Sequence, residues 1–177
     1  MINIICIVRL IRDKGILELF DAAKILHDKR YRNIKIQVIG FCEDDFKKQL
    51  ESLNLSPSIE LCGYQENVKP YIENAHAVVL PSYHEGMSNS LLEAASCGRP
   101  LIASDIPGCR EIIDNYQTGI LCKPRDVDSL VSALTYFIEL PYEEKRQMCI
   151  NGREKIEKSL DCKSIVAKYK ESMYGYK

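Results

Sequence analysis

Neither sign of charge dominates this sequence: 24 lysines and arginines stand against 25 aspartates and glutamates. A polybasic field able to track a nucleic-acid backbone is therefore missing, and no nucleic-acid partner is expected. Missing too is any apolar run approaching the roughly 20 residues that a membrane span needs. The opening Met1-Ile-Asn-Ile-Ile-Cys-Ile-Val8 is too short for a signal peptide and lacks its basic flank and cleavage site. No Cys-x-x-Cys pair occurs among the cysteines at 6, 42, 62, 97, 109, 122, 149 and 162, and His27, His76 and His84 complete no zinc-ligand spacing. Cys6 and Cys62 sit in apolar strand-like runs and Cys97 in an Ala-rich helix end, where a thiol packs as a small hydrophobe. Reduced thiols in a cytoplasmic protein are the expectation, with no metal bound. Gly-x-Gly-x-x-Gly does not follow the first apolar run and no Walker-type loop is found, which argues against a dinucleotide oxidoreductase. There is no internal repeat, low-complexity tract or long linker. The 177 residues read as one domain, long enough to bury a core.

What is present is an alternation of two periods. Ile4–Val8, Ile34–Ile39, Ile59–Cys62 and Ala77–Leu80 are short apolar runs, the later three stopped by Gly40, Gly63 and Pro81. Leu101–Ala103 and Gly119–Cys122 are shorter runs of the same kind. Between them lie helical patterns: Ile16, Leu19, Phe20, Ala23 and Leu26 on one face, then Phe46, Leu50 and Leu53, then a brief helix over about 66–73. Ser88 reads as the N-cap of a helix running to Cys97, with Gly98 and Pro100 beyond its end. Val127, Leu130, Val131, Leu134, Phe137 and Ile138 mark a strongly amphipathic helix, and two charged helices are expected near 142–157 and 161–174. Strands that are nearly apolar throughout and separated by helices imply a parallel sheet covered on both faces. The expected fold is α/β, a doubly wound, Rossmann-like parallel sheet.

Ligands of such sheets bind outside the carboxyl ends of the strands. The loop leaving the fourth strand is Pro81-Ser-Tyr-His-Glu-Gly-Met-Ser-Asn-Ser-Leu-Leu-Glu-Ala-Ala-Ser-Cys-Gly98. Gly86 lets the backbone turn closely against a ligand, and the helix after Ser88 offers unpaired N–H groups and a positive dipole end, a seat for phosphate. Glu85 stands at the mouth of the loop. Glu93 lies about one turn into a stretch of Ser, Leu and Ala, where it is either the partner of a nearby base or an acceptor for ribose or sugar hydroxyls. The first strand runs into Arg9-Leu-Ile-Arg-Asp-Lys14-Gly15, and both Arg9 and Lys14 are candidates for a diphosphate, one as a planar fork and one as a point charge. Taken singly, either is simply surface charge. Asp126-Val127-Asp128 forms an Asp-x-Asp string, but its place before an amphipathic helix makes it an N-cap rather than a metal site.

Arg9 and Lys14-Gly15, then Leu80-Pro81-Ser82, Glu85-Gly86 through Glu93-Ala94, and Gly98-Arg99-Pro100 together resemble the retaining GT-B glycosyltransferases of family four. The two glutamates match that family's Glu-x7-Glu motif. Asp105-Ile-Pro-Gly108 with Glu111, Asn115 through Gly119, and Asn151-Gly152-Arg153 continue the likeness over nearly the whole chain, in the right order. Gly40-Phe-Cys-Glu-Asp44 departs from the more Gly-rich turn of many relatives. The resemblance implies that Arg9 and Lys14 hold the donor diphosphate and stabilise the departing nucleoside diphosphate, and that Glu85 contacts hydroxyls of the transferred sugar. It implies that the amides of Gly86, Met87, Ser88 and Asn89 face the sugar and distal phosphate, and that Glu93 grips the ribose. The implied reaction is glycosyl transfer with retention from a nucleoside-diphosphate sugar to a glycan or lipid-linked acceptor, with no metal or other cofactor.

A GT-B enzyme has two Rossmann-like domains, and this chain resembles the C-terminal, donor-binding one. The expectation is a truncated piece or one subunit of a split enzyme, inactive without an N-terminal, acceptor-binding partner half. Peripheral membrane association of the complete enzyme stays open, without a local run in its support. Two other readings stay open: a GT-B-type sugar-nucleotide epimerase, and a non-catalytic module that binds the nucleotide sugar without turnover.

Overall fold

Six apolar segments of four to six residues do form strands in the computed structural model, and all of them are parallel: β1 Ile2–Ile7, β2 Ile34–Ile39, β3 Ile59–Gly63, β4 Ala77–Leu80, β5 Leu101–Ser104 and β6 Gly119–Cys122. The structure describes residues 1–160, 166 and 169–173, the side chains of residues 44, 45 and 51 excepted. The strands lie side by side in the order β3-β2-β1-β4-β5-β6, the order of a Rossmann-type sheet. Every residue of β4 and β5 is buried, as expected for central strands covered on both faces. Edge strand β3 instead leaves Glu60 and Leu61 exposed.

Helices cover the sheet. They are α1 Ile16–Asp28, α2 Asp44–Glu51, α3 Lys69–Asn74, α4 Asn89–Ser96, α5 Pro107–Arg110, α6 Val127–Glu139 and α7 Tyr142–Lys155. Helix α1 packs against α6, bringing Leu19, Phe20, Ala23 and Leu26 to the same core as Leu130, Leu134 and Phe137. Each such Leu or Phe side chain taken wholly out of water contributes about 1.5–3 kcal/mol, so this face holds the amino half of the sheet to its carboxyl half. On the other side α4 packs against α7.

Two local details differ from the sequence pattern. Helix α5 was not anticipated: it is four residues long, too short to show a helical period, and its only signal is Pro107 in its first turn. The helix expected over 142–157 ends as α at Lys155 and continues as a π-helical turn over Ile156–Leu160. The expected helix near 161–174 falls largely outside the described residues, of which 166 and 169–173 are helical.

The Asp-x-Asp string is an N-cap. Asp126 has extended backbone, and its carboxylate accepts from the Ser129 N–H at 2.8 Å. Asp126→Ala is expected to cost ~1 kcal/mol. It should appear as a lower urea midpoint with an unchanged denaturant slope.

Candidate active site

In a sheet of this order the chain reverses direction across β1 and β4, and the crevice between their carboxyl ends is where ligands are received. The two loops that leave β1 and β4 meet there. After Ile7 the chain stays extended beside β2, with the Val8 and Leu10 N–H groups donating to the Ile39 and Phe41 carbonyls and a further bridge from Leu10 to Cys42. A single 3-10 turn, Arg12–Lys14, then leads into α1 through Gly15. Gly15 has φ 67, a left-handed conformation, and a Cβ there would overlap the Pro81 carbonyl. Only glycine meets both demands, which explains the Lys-Gly pair. The contact seats the β4 loop directly on the start of α1.

Three further contacts fix that loop. The Tyr83 N–H donates to the Asp13 carbonyl at 2.9 Å. The Tyr83 hydroxyl donates to Glu18 on α1, and the Arg125 guanidinium lies over the Tyr83 ring, 4.5 Å from its centroid. Burial, reinforced by Glu18, pushes the Tyr83 phenol up to about 12, against the opposing charges of Arg125 and Arg12. The phenol therefore stays protonated and donating throughout the physiological range. Arg125 itself adopts a left-handed φ of 59, uncommon for a residue with a Cβ.

Held in this way, the loop presents Glu85 to Lys14. The Lys14 Nζ lies 2.6 Å from Glu85 Oε1, and the Ser82 hydroxyl donates to the same oxygen at 2.8 Å. Side-chain exposure is 22% for Lys14 and 14% for Glu85, so water screens the pair less than it would a surface pair. Beneath it lies Cys109, whose thiol burial and the nearby Glu85 charge push up to about 12. That sulfur is a packed, protonated group, not a nucleophile. Gly86 and Met87 are exposed beyond Glu85, and the Gly86 carbonyl rests against Gly108.

Helix α4 begins as expected, with Ser88 in the N-cap position, but the Ser88 side chain makes no capping bond. Its hydroxyl is 3.1 Å from that of Ser90 instead. The first-turn N–H groups beginning at Asn89 are thus left without a side-chain acceptor from the cap.

The other two expected site residues stand apart from this pair. Arg9 reaches Glu43 at 3.9 Å, with both side chains more than half exposed. Such a contact is worth only about 0–1 kcal/mol and is readily exchanged. Glu93 is exposed, not buried between Leu92 and Ala94, because the helix turns Leu91, Ala94 and Ala95 inward. Its carboxylate makes no ion pair or hydrogen bond among the described residues, and it lines a cleft of about 550 Å³ together with Glu66, Asn67, Lys69, Ile72 and Ile156. Glu18, Tyr83, Arg125 and the hydroxyl of Ser82 were missed as parts of the site. Ser82 lies only three positions from Glu85, but Glu18 meets Tyr83 across 65 residues, and no local pattern announces such a contact.

The carboxyl edge of the sheet thus brings a partly buried ammonium–carboxylate pair to the loop that leads into α4, and Glu93 farther along that helix lines a separate cleft. A family model described as glycosyl transferases group 1 matches residues 2–155. The chain belongs to the group 1 glycosyltransferases. Among curated relatives, the N,N'-diacetylbacillosaminyl-diphospho-undecaprenol alpha-1,3-N-acetylgalactosaminyltransferase of Campylobacter jejuni is 32% identical over 136 residues, taking in 77% of this chain and 35% of that enzyme. Among solved structures, HepE of Anabaena in complex with UDP superposes with a TM-score of 0.85 at 19% identity, over 98% of this chain and 48% of the other. The C-terminal domain of the group 1 protein LpcC from Francisella tularensis gives 0.77 at 24% identity, over 91% of this chain and 87% of that domain. At those identities the structural likeness speaks for the fold, which is that of GT-B glycosyltransferases. This group 1 chain spans less than half the length of the curated relatives it matches.

Proposed function

We propose that this chain is the donor-binding half of a retaining glycosyltransferase that takes its sugar from a nucleoside diphosphate and passes it to a glycan or lipid-linked acceptor. The observation that carries the reading is the contact of Lys14 with Glu85 at the mouth of α4, in the crevice between β1 and β4. A cation beside an open helix N-terminus suits a diphosphate, and a carboxylate beside the same cation suits the hydroxyls of the attached sugar. UDP in HepE and a diphospho-undecaprenol acceptor in the Campylobacter enzyme support the two substrate classes.

In this reading the amides of Gly86, Met87, Ser88 and Asn89 face the sugar and distal phosphate. Glu93 takes the ribose hydroxyls, which places the nucleoside along the cleft that Glu93 lines. Arg9 exchanges its weak contact with Glu43 for a phosphate oxygen. As the glycosidic bond breaks, negative charge grows on the departing diphosphate. The α4 amides, fixed by the helix, and the cations Lys14 and Arg9, turned to the diphosphate, stabilise it, so the acceptor attacks an oxocarbenium-like sugar from the same face. The reading calls for no metal or cofactor and places the protein in the cytoplasm. An acceptor-binding half completes the enzyme, and the chain alone is expected to bind without turnover.

Calorimetry with UDP, GDP and ADP on the whole chain tests the reading. One nucleoside diphosphate should bind measurably, and Glu93→Ala should weaken it about tenfold or more, the loss expected for hydrogen bonds to a charged acceptor. A folded chain that binds none of the three would sink the assignment.

A further inference from the structure

Ser82 has a hydroxyl that no role above uses, and its position is unusually constrained. The residue is 0% exposed. On its amino side, Pro81 is pressed against Gly15, and on its carboxyl side, Tyr83 is bound through its N–H to Asp13 and through its hydroxyl to Glu18. A serine clamped on both flanks has one rotatable bond left, and that bond aims its hydroxyl at Glu85 Oε1, 2.8 Å away. Lys14 donates to the same oxygen. A carboxylate oxygen accepts about two hydrogen bonds, so Oε1 is filled by these two donors and Oε2 keeps its acceptor capacity.

The two donors are not equivalent. Lys14 carries three N–H groups on a flexible stem and can turn toward a phosphate. Ser82 cannot leave. The geometry assigns Ser82 as the positioning residue for Glu85: it holds Oε1 so that Oε2 is presented to the transferred sugar, and it keeps that orientation when Lys14 engages the diphosphate. The assignment rests on the reading that Glu85 faces the donor sugar. It goes further in locating sugar recognition in the fixed Ser82–Glu85 unit and diphosphate recognition in the mobile cation.

The test separates the sugar's share of binding from that of the nucleotide. Calorimetry on the whole chain compares the tightest of UDP-, GDP- and ADP-glucose with its own nucleoside diphosphate, in wild type, Ser82→Ala, Ser82→Thr, Glu85→Gln and the Ser82→Ala/Glu85→Gln pair. Loss of a hydrogen bond to a charged acceptor should remove about tenfold of the gain contributed by the sugar in Ser82→Ala. Affinity for the bare diphosphate should be unchanged, Ser82→Thr should keep the gain, and Ser82→Ala should change nothing further once Glu85 is Gln. If Ser82→Ala keeps the sugar gain, or weakens both ligands equally, the positioning role is overturned while the donor site stands. If the wild type binds the diphosphate and gains nothing from the sugar, the role of Glu85 falls and this inference with it. If the wild type binds neither, the donor site itself falls.

Discussion

Gly108→Ala is expected to weaken ligand binding at this site on the order of a hundredfold while leaving a folded protein of lower stability. Gly108 lies in α5, and its φ is not in the left-handed region, so its backbone would accept alanine without strain. On helix propensity alone the change would stabilise by up to ~1 kcal/mol. The surroundings reverse the sign. A Cβ at Gly108 would overlap the Gly86 carbonyl group and press on the carbonyl oxygen of Glu85. These are backbone atoms, with no flexible side-chain end to swing aside, so the 85–86 segment has to move. Overpacking of this kind costs roughly 1–3 kcal/mol, which for a chain of this size corresponds to a fall of about 2–10 °C in unfolding midpoint. The functional loss is larger, because the displaced segment carries Glu85 away from Lys14 and Ser82 and shifts the amides before α4. A misplacement of about 1 Å in such a constellation costs on the order of a hundredfold. Thermal melts and calorimetry on one preparation would show the two effects side by side. Unchanged affinity would mean that the 85–86 backbone does not contact the ligand.

The reason Gly108 matters could not be seen in the sequence, although Asp105-Ile-Pro-Gly108 stands out as a motif. Its partner is a carbonyl 22 positions earlier, and no periodicity marks such a contact. The sheet was legible for the opposite reason. A parallel strand buried on both faces is apolar at nearly every position, and Gly40, Gly63 and Pro81 end such runs cleanly, so the strands were placed to within one or two residues. Strand order is a different matter: nothing in the apolar runs says that β4 rather than β2 extends the sheet beyond β1. That step came from the general behaviour of doubly wound folds.

Within the site, Lys14 and Glu85 were identifiable and do meet, 71 positions apart. Arg9 was identifiable as a cation at the sheet edge, but its Glu43 partner sits on a loop that the sequence cannot bring near. Glu93 could be read from the sequence either as the partner of a base or as an acceptor for hydroxyls. Helical spacing decides its setting: Leu91, Ala94 and Ala95 go to the core and Glu93 faces the cleft.

The largest contrast between two variants is expected at the Lys14–Glu85 pair itself, where removing either charge should have effects of opposite sign on nucleotide affinity. Lys14→Met deletes the cation and leaves Glu85, only 14% exposed, with the Ser82 hydroxyl as its remaining described donor. The site then turns a poorly solvated negative charge toward a diphosphate. Losing the cation that faces the diphosphate removes a charge pair between protein and ligand, at a cost of roughly 2–5 kcal/mol, so nucleoside-diphosphate affinity should fall by a factor of about 30 or more. Glu85→Gln does the reverse. It keeps the shape and a hydrogen-bond acceptor for Lys14 while removing the charge that partly neutralises the ammonium. The bare diphosphate should then bind as well as before or several-fold more tightly, and the gain from an attached sugar should disappear. The double variant decides whether the two act as a unit. If they do, Glu85→Gln partly restores the stability lost in Lys14→Met, because it relieves the stranded carboxylate, with a coupling of about 1–3 kcal/mol in the unfolding free energies. Independent, additive losses would show instead that each group is separately solvated, and that the 2.6 Å contact does not govern how the site holds its charge.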